Sequence, residues 1–314
     1  MARTQSNREL DLEKLYGGDL QPKPRLGLIG FLVPVVLVAA LGAGALFLYK
    51  QKVDIDEEIA RRAIAARDKT KKFDLPSLQA AEKLYREIVE LDPGNGMALS
   101  NLALVNFAMS QHGLPTRSEA QKYFDQAVAA GAASPVRFAV GAYLDITDGN
   151  AAKAENEMTL LLEQQRGAPI IAHALGWAKA QQGAYIEGNR VLRQAVETDF
   201  SAVAYRLTLA EYAHRNGDLR GAVKQLASAY RSNASPDLQL AKAWAAALRL
   251  QVYGAFETPL KLIKSVQDAA KKADQVGRRT SGLLKWAEGE LALATGNAVG
   301  ALKKADDAAN TLGK

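Results

Sequence analysis

The sequence predicts an all-α fold, a solenoid of about six helical hairpins preceded by one transmembrane helix. Three observations point there. Alanine supplies 57 of the 314 residues, and it has the highest helix propensity, while the β-branched and aromatic residues that strands favour are scarce. The run from Leu26 to Tyr49 holds no charged residue. From Ala142 onward, small residues and turn glycines recur every 34 residues.

Composition also excludes chemistry. The chain has no cysteine, so disulfides, cysteine-ligated zinc, iron–sulfur clusters and a thiol nucleophile are out of reach. Three histidines leave little for metal or acid–base work, and 40 basic residues face 34 acidic ones for a net charge of +6. That balance is a mixed, solvated surface, and no nucleic-acid partner is expected from it. The basic pairs Lys271-Lys272, Arg278-Arg279 and Lys303-Lys304 are interrupted by Asp268, Asp274, Asp306 and Asp307, as on solvated helix faces. Phosphate-cradling, dinucleotide, zinc-protease, nucleophile-elbow and calcium-loop motifs are absent. Glu288 and Glu290 are two apart on an expected helix, where side chains diverge. No enzyme activity and no cofactor are expected.

Residues 1–25 form a short tail. Leu10, Leu12, Leu15 and Tyr16 give it a brief apolar pattern before Gly17-Gly18 and Pro22. It reads as a leader, or as a docking motif centred on Leu10–Tyr16. Residues 26–49 are the expected membrane span. At about 1.5 Å per residue the helix would cover roughly 35 Å, against a bilayer core of about 30 Å. A signal peptide would have a shorter apolar core and a shorter leader. Lys14, Lys23 and Arg25 on one side nearly balance Lys50, Lys52, Arg61 and Arg62 on the other. Orientation by positive charge is therefore close to a tie, and the short tail is placed inside.

Residues 50–312 carry the repeats. Ala142, Gly176 and Ala210 are 34 apart, as are Gly149, Gly183 and Gly217. Five residues after each glycine stands a small residue, Ala154, Gly188 or Ala222; four further on comes a large apolar one, Met158, Leu192 or Leu226. Separations of three, four and seven are helical. The glycine supplies the left-handed turn between two helices, so each unit is an antiparallel hairpin. Units begin at 135, 169 and 203. Upstream, Ala81, Tyr85, Ile88 and Pro93 mark the second helix of another unit, and one more begins near Gly96 with about five extra residues at 111–117. A looser unit starts near 237, with Gly254 displaced and a second helix reaching Ala273. A last unit near 282 carries Gly289, Gly296 and Ala301.

These small residues at positions 8 and 20, the glycine near 15 and the apolar residue at 24 resemble the tetratricopeptide repeat family over roughly residues 54–312. The family's bulky residue at position 4 and tyrosine at 11 are mostly missing here. The resemblance implies a superhelix whose concave face is lined by the first helix of each hairpin, at positions 2, 5, 9 and 12. Carried over, that face holds Ser100, Leu104, Phe107, Tyr143, Ile146, His173, Trp177, Glu211 and His214, with Lys242 and Arg249 toward the far end. A one-residue shift of register would turn Tyr143 or Trp177 into core. Exposed aromatics suit a groove that takes an amphipathic helix or an extended peptide. The family's clamp for acidic C-terminal tails is not expected, because only Asn101 fits it and Val136 and Val140 stand where bases are needed. The bitopic bacterial members of the family imply a membrane-anchored scaffold that binds proteins or helps assemble an envelope complex. The alternatives are a permanent subunit of an envelope machine or a translocon-associated chaperone. The expected location is the inner membrane, touching lipid through residues 26–49, with the solenoid periplasmic or, alternatively, cytoplasmic.

Overall fold

The structure is a computed structural model that describes residues 28–165, 167–199, 201–229, 264 and 278–312. Among the described residues there are twelve helices and no strand. They are α1 (Leu28–Lys72), α2 (Leu75–Leu91), α3 (Gly96–Gln111), α4 (Arg117–Ala129), α5 (Pro135–Thr147), α6 (Ala151–Gln164), α7 (Pro169–Gln181), α8 (Tyr185–Thr198), α9 (Val203–Arg215), α10 (Leu219–Ala229), α11 (Arg278–Ala294) and α12 (Ala298–Leu312). Two compact units divide the chain, residues 1–56 and 57–314. The second unit is an all-α stack of helical hairpins of the tetratricopeptide type.

The 34-residue frame is visible in the helix starts. First helices α5, α7 and α9 begin at residues 135, 169 and 203, and second helices α6, α8 and α10 at 151, 185 and 219. Gly149, Gly183 and Gly217 sit between them at φ 86°, 85° and 78°, a conformation that glycine reaches without a Cβ penalty. After each glycine the next amide bonds back five residues, Asn150 N–H to the Asp145 carbonyl at 2.8 Å and Asp218 N–H to the Ala213 carbonyl at 2.8 Å. This closes one helix before the next begins.

Small residues let the paired helices approach. Ala142, Ala154, Ala210 and Ala222 are fully buried, and Met158, Leu192 and Leu226 fill the seam above them. Apolar burial of this kind stabilises by about 25 cal/mol per Å2, and each hairpin obtains part of it only from its neighbours. The extra residues expected at 111–117 split two ways. Helix α3 has 16 residues where α5, α7 and α9 have 13, and its connection to α4 spans 112–116. Thr116 ties that longer loop down by donating to the Asn106 carbonyl at 2.7 Å.

The last turns of α1 act as the first helix of the first hairpin. Ala66 is fully buried in the main core with Ile59 and Ala63 beside it, and Arg62 pairs with Glu87 of α2 at 3.3 Å. Phe73 then turns the chain at φ 56°. A left-handed backbone costs a residue with a Cβ roughly 1–2 kcal/mol, so surrounding contacts must hold it there. Asp74 caps α2 by accepting from the Ser77 N–H at 2.9 Å. At the other end, Ala287 of α11 joins Ala210, Ala213, Ala222 and Leu226 in one apolar cluster, which seats the C-terminal hairpin against α9 and α10.

The expected membrane placement is corrected here. Among the described residues no helix is long and apolar enough to cross a membrane. This overturns the single-pass inner-membrane placement on which a periplasmic or a cytoplasmic solenoid is premised, and leaves lipid contact through residues 26–49 unsupported. The part of α1 whose side chains are described offers no apolar window of that length: exposed Leu46, Leu48 and Tyr49 are followed by Lys50, Lys52, Asp54, Asp56, Glu57 and Glu58, and charge at that density does not enter a hydrocarbon core. The side chains of residues 26–45 and 47 lie outside the described ones. So do the tail with Leu10–Tyr16 and the unit near 237 with Lys242, Arg249 and Gly254.

Candidate functional site

Because each hairpin repeats the same turn, the first helices α3, α5, α7 and α9 present equivalent faces in series. Between them, with the end of α1 on one side and Trp286 of α11 on another, lies a cavity of about 630 Å3. That is within the range of clefts that take a small molecule or a few side chains.

Seven of the nine residues expected on the inner face line this cavity: Leu104, Phe107, Tyr143, His173, Trp177, Glu211 and His214. The other two do not. Ser100 is fully buried, donates to the Gly96 carbonyl at 2.6 Å and accepts from the Ser134 hydroxyl at 3.2 Å, so it joins two hairpins. Ile146 is buried in the main core. Of the residues that bear on the acidic-tail clamp, Asn101 and Val136 also line the cavity, while Val140 is buried in the core.

The aromatic wall is more packed than exposed. Phe107 and Tyr143 are buried at 4% and 3% and stack at 5.4 Å with their planes 20° apart. Trp177 is half-buried and leans on both, 6.1 Å from Phe107 and 5.4 Å from Tyr143. Such pairs add to stability beyond the area they bury. Position 9 of one hairpin thus rests on position 9 of the next, and only part of each ring faces the cavity.

A polar row runs behind the rings. Tyr143 Oη lies 2.7 Å from His173 Nδ1, and His173 Nε2 lies 3.0 Å from Thr208 Oγ1. One imidazole therefore bridges α5 and α9 from α7, and Tyr205 stacks on it at 4.7 Å. Burial pushes the Tyr143 phenol well up, with the neighbouring Tyr205 adding to the effect. Burial likewise raises Tyr205 and Tyr212. All three phenols stay neutral and keep their O–H donors.

Charge is concentrated at two ends. At one, Lys71 of α1 meets Asp199 at 3.1 Å, with Arg67 beside it on the cavity wall. At the other, Glu211 accepts from Arg215 at 2.7 Å, and Trp286 donates its indole N–H to Glu290 at 2.9 Å. His214 stands 3.8 Å from Glu290 and meets Trp286 edge-on at 5.7 Å. Burial lowers the pKa of His214, with Glu290 opposing.

Sequence reasoning missed Tyr205, Thr208, Tyr212, Trp286 and the α1 residues Thr70 and Phe73. Three of these carry a signal. Counting from the unit near 282, Trp286 falls at position 5. Stepping the frame back 34 residues from 96 puts Thr70 and Phe73 at positions 9 and 12. Tyr205, Thr208 and Tyr212 occupy positions 3, 6 and 10, which the family pattern does not mark. Among the described residues no group of three His, Asp or Glu could hold a metal ion.

No protein-family model matches the chain, and no curated protein matches it. Solved structures do. The human IFIT1 dimer with PPP-AAAA is 18% identical, with a TM-score of 0.47 over 85% of this chain and 68% of that one. The same human protein with m7Gppp-AAAA gives 18% and 0.48 over 85% and 67%. A tetratricopeptide repeat protein from Parabacteroides merdae gives 16% and 0.43 over 81% and 93%. At these values the fold assignment rests on the hairpin geometry of the chain itself.

Proposed function

We propose that this protein is a non-enzymatic scaffold whose inner helix face holds a short segment of a partner protein by a bulky apolar or aromatic anchor. The observation that carries this reading is the half-buried Trp177, braced by Phe107 and Tyr143 and opening on a 630 Å3 cavity. A rigid aromatic face with Arg215 nearby matches the enrichment of Trp, Tyr and Arg at interface hot spots. The scaffold would serve in assembling a larger protein complex, as an adaptor that engages and releases. The competing reading is a permanent structural subunit, and the two differ in exchange rate.

A peptide library displayed on phage, selected on the full chain and on Trp177→Ala, tests the proposal. Enriched peptides should carry a large apolar residue and should lose at least tenfold in affinity on Trp177→Ala, with the circular dichroism unchanged. Equal affinity for both proteins, or no enrichment, would remove the anchor. Dissociation within seconds to minutes fits an adaptor; complexes that never exchange fit a permanent subunit.

A further inference from the structure

Lys71, Phe73 and Asp199, from hairpins far apart in sequence, all line the cavity. Lys71 Nζ reaches Asp199 Oδ2 and the Ser201 hydroxyl, each at 3.1 Å. Two residues later, Phe73 packs with Val203, Leu207 and Ala229. Its carbonyl lies 3.1 Å from His112 Nε2, and its ring sits 5.3 Å from that imidazole. The first hairpin is thereby fastened both to its neighbour, through His112 just after α3, and to the hairpin that begins at 203.

We propose that Lys71, Phe73, Asp199 and Ser201 form a clasp across the cavity mouth, and that its opening governs how fast a ligand gets in. Three independent features support a part that opens. The polar half is an ion pair with both side chains partly exposed, at 36% and 21%, and such pairs are weak and screened by salt. Its apolar half hangs on the one described non-glycine residue with positive φ, Phe73 at 56°, a conformation that relaxes when its contacts let go. Arg67, Thr70, Lys71 and Phe73 also line the cavity together with Tyr205, Thr208 and Ala202 from the far side, so separating the two sides widens the opening directly. The clasp concerns access alone and does not depend on the partner proposed above.

The chain has no native cysteine, which allows a clean test. In the full chain, Lys71→Cys with Asp199→Cys is joined by a bismaleimide carrying a cleavable disulfide. The probe is 1-anilinonaphthalene-8-sulfonate, followed by emission sensitised from tryptophan in a stopped-flow instrument. Joining the two sites should slow the association rate at least fivefold, and reduction of the linker should restore it. Lys71→Ala and Phe73→Ala should raise the rate several-fold, with helicity by circular dichroism preserved. An association rate that the linker leaves unchanged would overturn the clasp, whatever the single substitutions do. Failure of the two thiols to be joined would contradict the contact itself. Absence of sensitised emission in the unlinked variants would also overturn it, since an opened cavity must admit the probe.

Discussion

In the hairpin of α5 and α6 the two helices meet through Ala142 and Ala154; in α7 and α8, 34 residues on, the same two seats hold Gly176 and Gly188. A Cβ added at Gly176 would lie 2.7 Å from Leu192 Cγ and 2.9 Å from the Leu192 amide nitrogen. One added at Gly188 would lie 2.9 Å from the Gly176 carbonyl oxygen and 3.0 Å from the Ala180 amide nitrogen. The second pair of helices is therefore closer, backbone to backbone, than an alanine seam allows. One repeat frame tolerates two separations, and the side chain at position 24 adjusts: flexible Met158 over the alanines, branched Leu192 over the glycines.

The comparison breaks most visibly at that position. Leu192→Ala and Met158→Ala should each cost about 2–5 kcal/mol. Thermal and urea unfolding should place Leu192→Ala at the upper end, because a branched side chain over a close seam leaves a cavity that rigid backbone cannot fill. Next in size comes the seat itself. Gly188→Ala should cost about 1–3 kcal/mol through overpacking, whereas Ala154→Gly in the neighbouring hairpin should cost only about 1 kcal/mol. Equal effects at the two sites would show that the helices are equally spaced after all.

Much of the architecture is legible in the residue pattern alone. Starts at 135, 169 and 203 follow from the glycine spacing, because a left-handed turn residue and a small seam residue leave little freedom in where a hairpin closes. Of the nine residues that the family resemblance sets on the inner face, seven line the cavity. What the frame does not convey is contact between hairpins. Ser100 leaves the inner face because Ser134 offers its hydroxyl a partner, and Tyr143 is buried because Phe107 and Trp177 lean on it. Periodicity also says nothing about Lys71 meeting Asp199, a pairing between segments far apart along the chain. Along residues 26–49 apolar length alone prompts a membrane assignment, whereas the described part of α1 is set by the dense charge after Tyr49.

Smaller effects sharpen the contrast between seam and inner face. Tyr143→Phe keeps the stacked ring and removes the hydroxyl that meets His173. A loss of about 1 kcal/mol is expected, well below any large-to-small seam substitution, and calorimetric melts would show it. The smallest effect is acid loosening of the clasp. Burial raises the Asp199 pKa, but Ser201 and Lys71 outweigh it and hold the carboxyl below its usual value of 3.8. Its contribution is thus fully present above about pH 4 and is lost as the pH falls through the lowered value. Hydrogen exchange of residues 67–73 should quicken in that window, and Asp199→Asn should abolish the pH dependence.

The claim that the first helices of successive hairpins jointly form the binding face is tested most directly by hydrogen exchange on the full chain with and without a peptide selected on it. New protection should gather on α3, α5, α7 and α9, strongest around Trp177. Protection confined to the second helices α6, α8 and α10 would contradict the account.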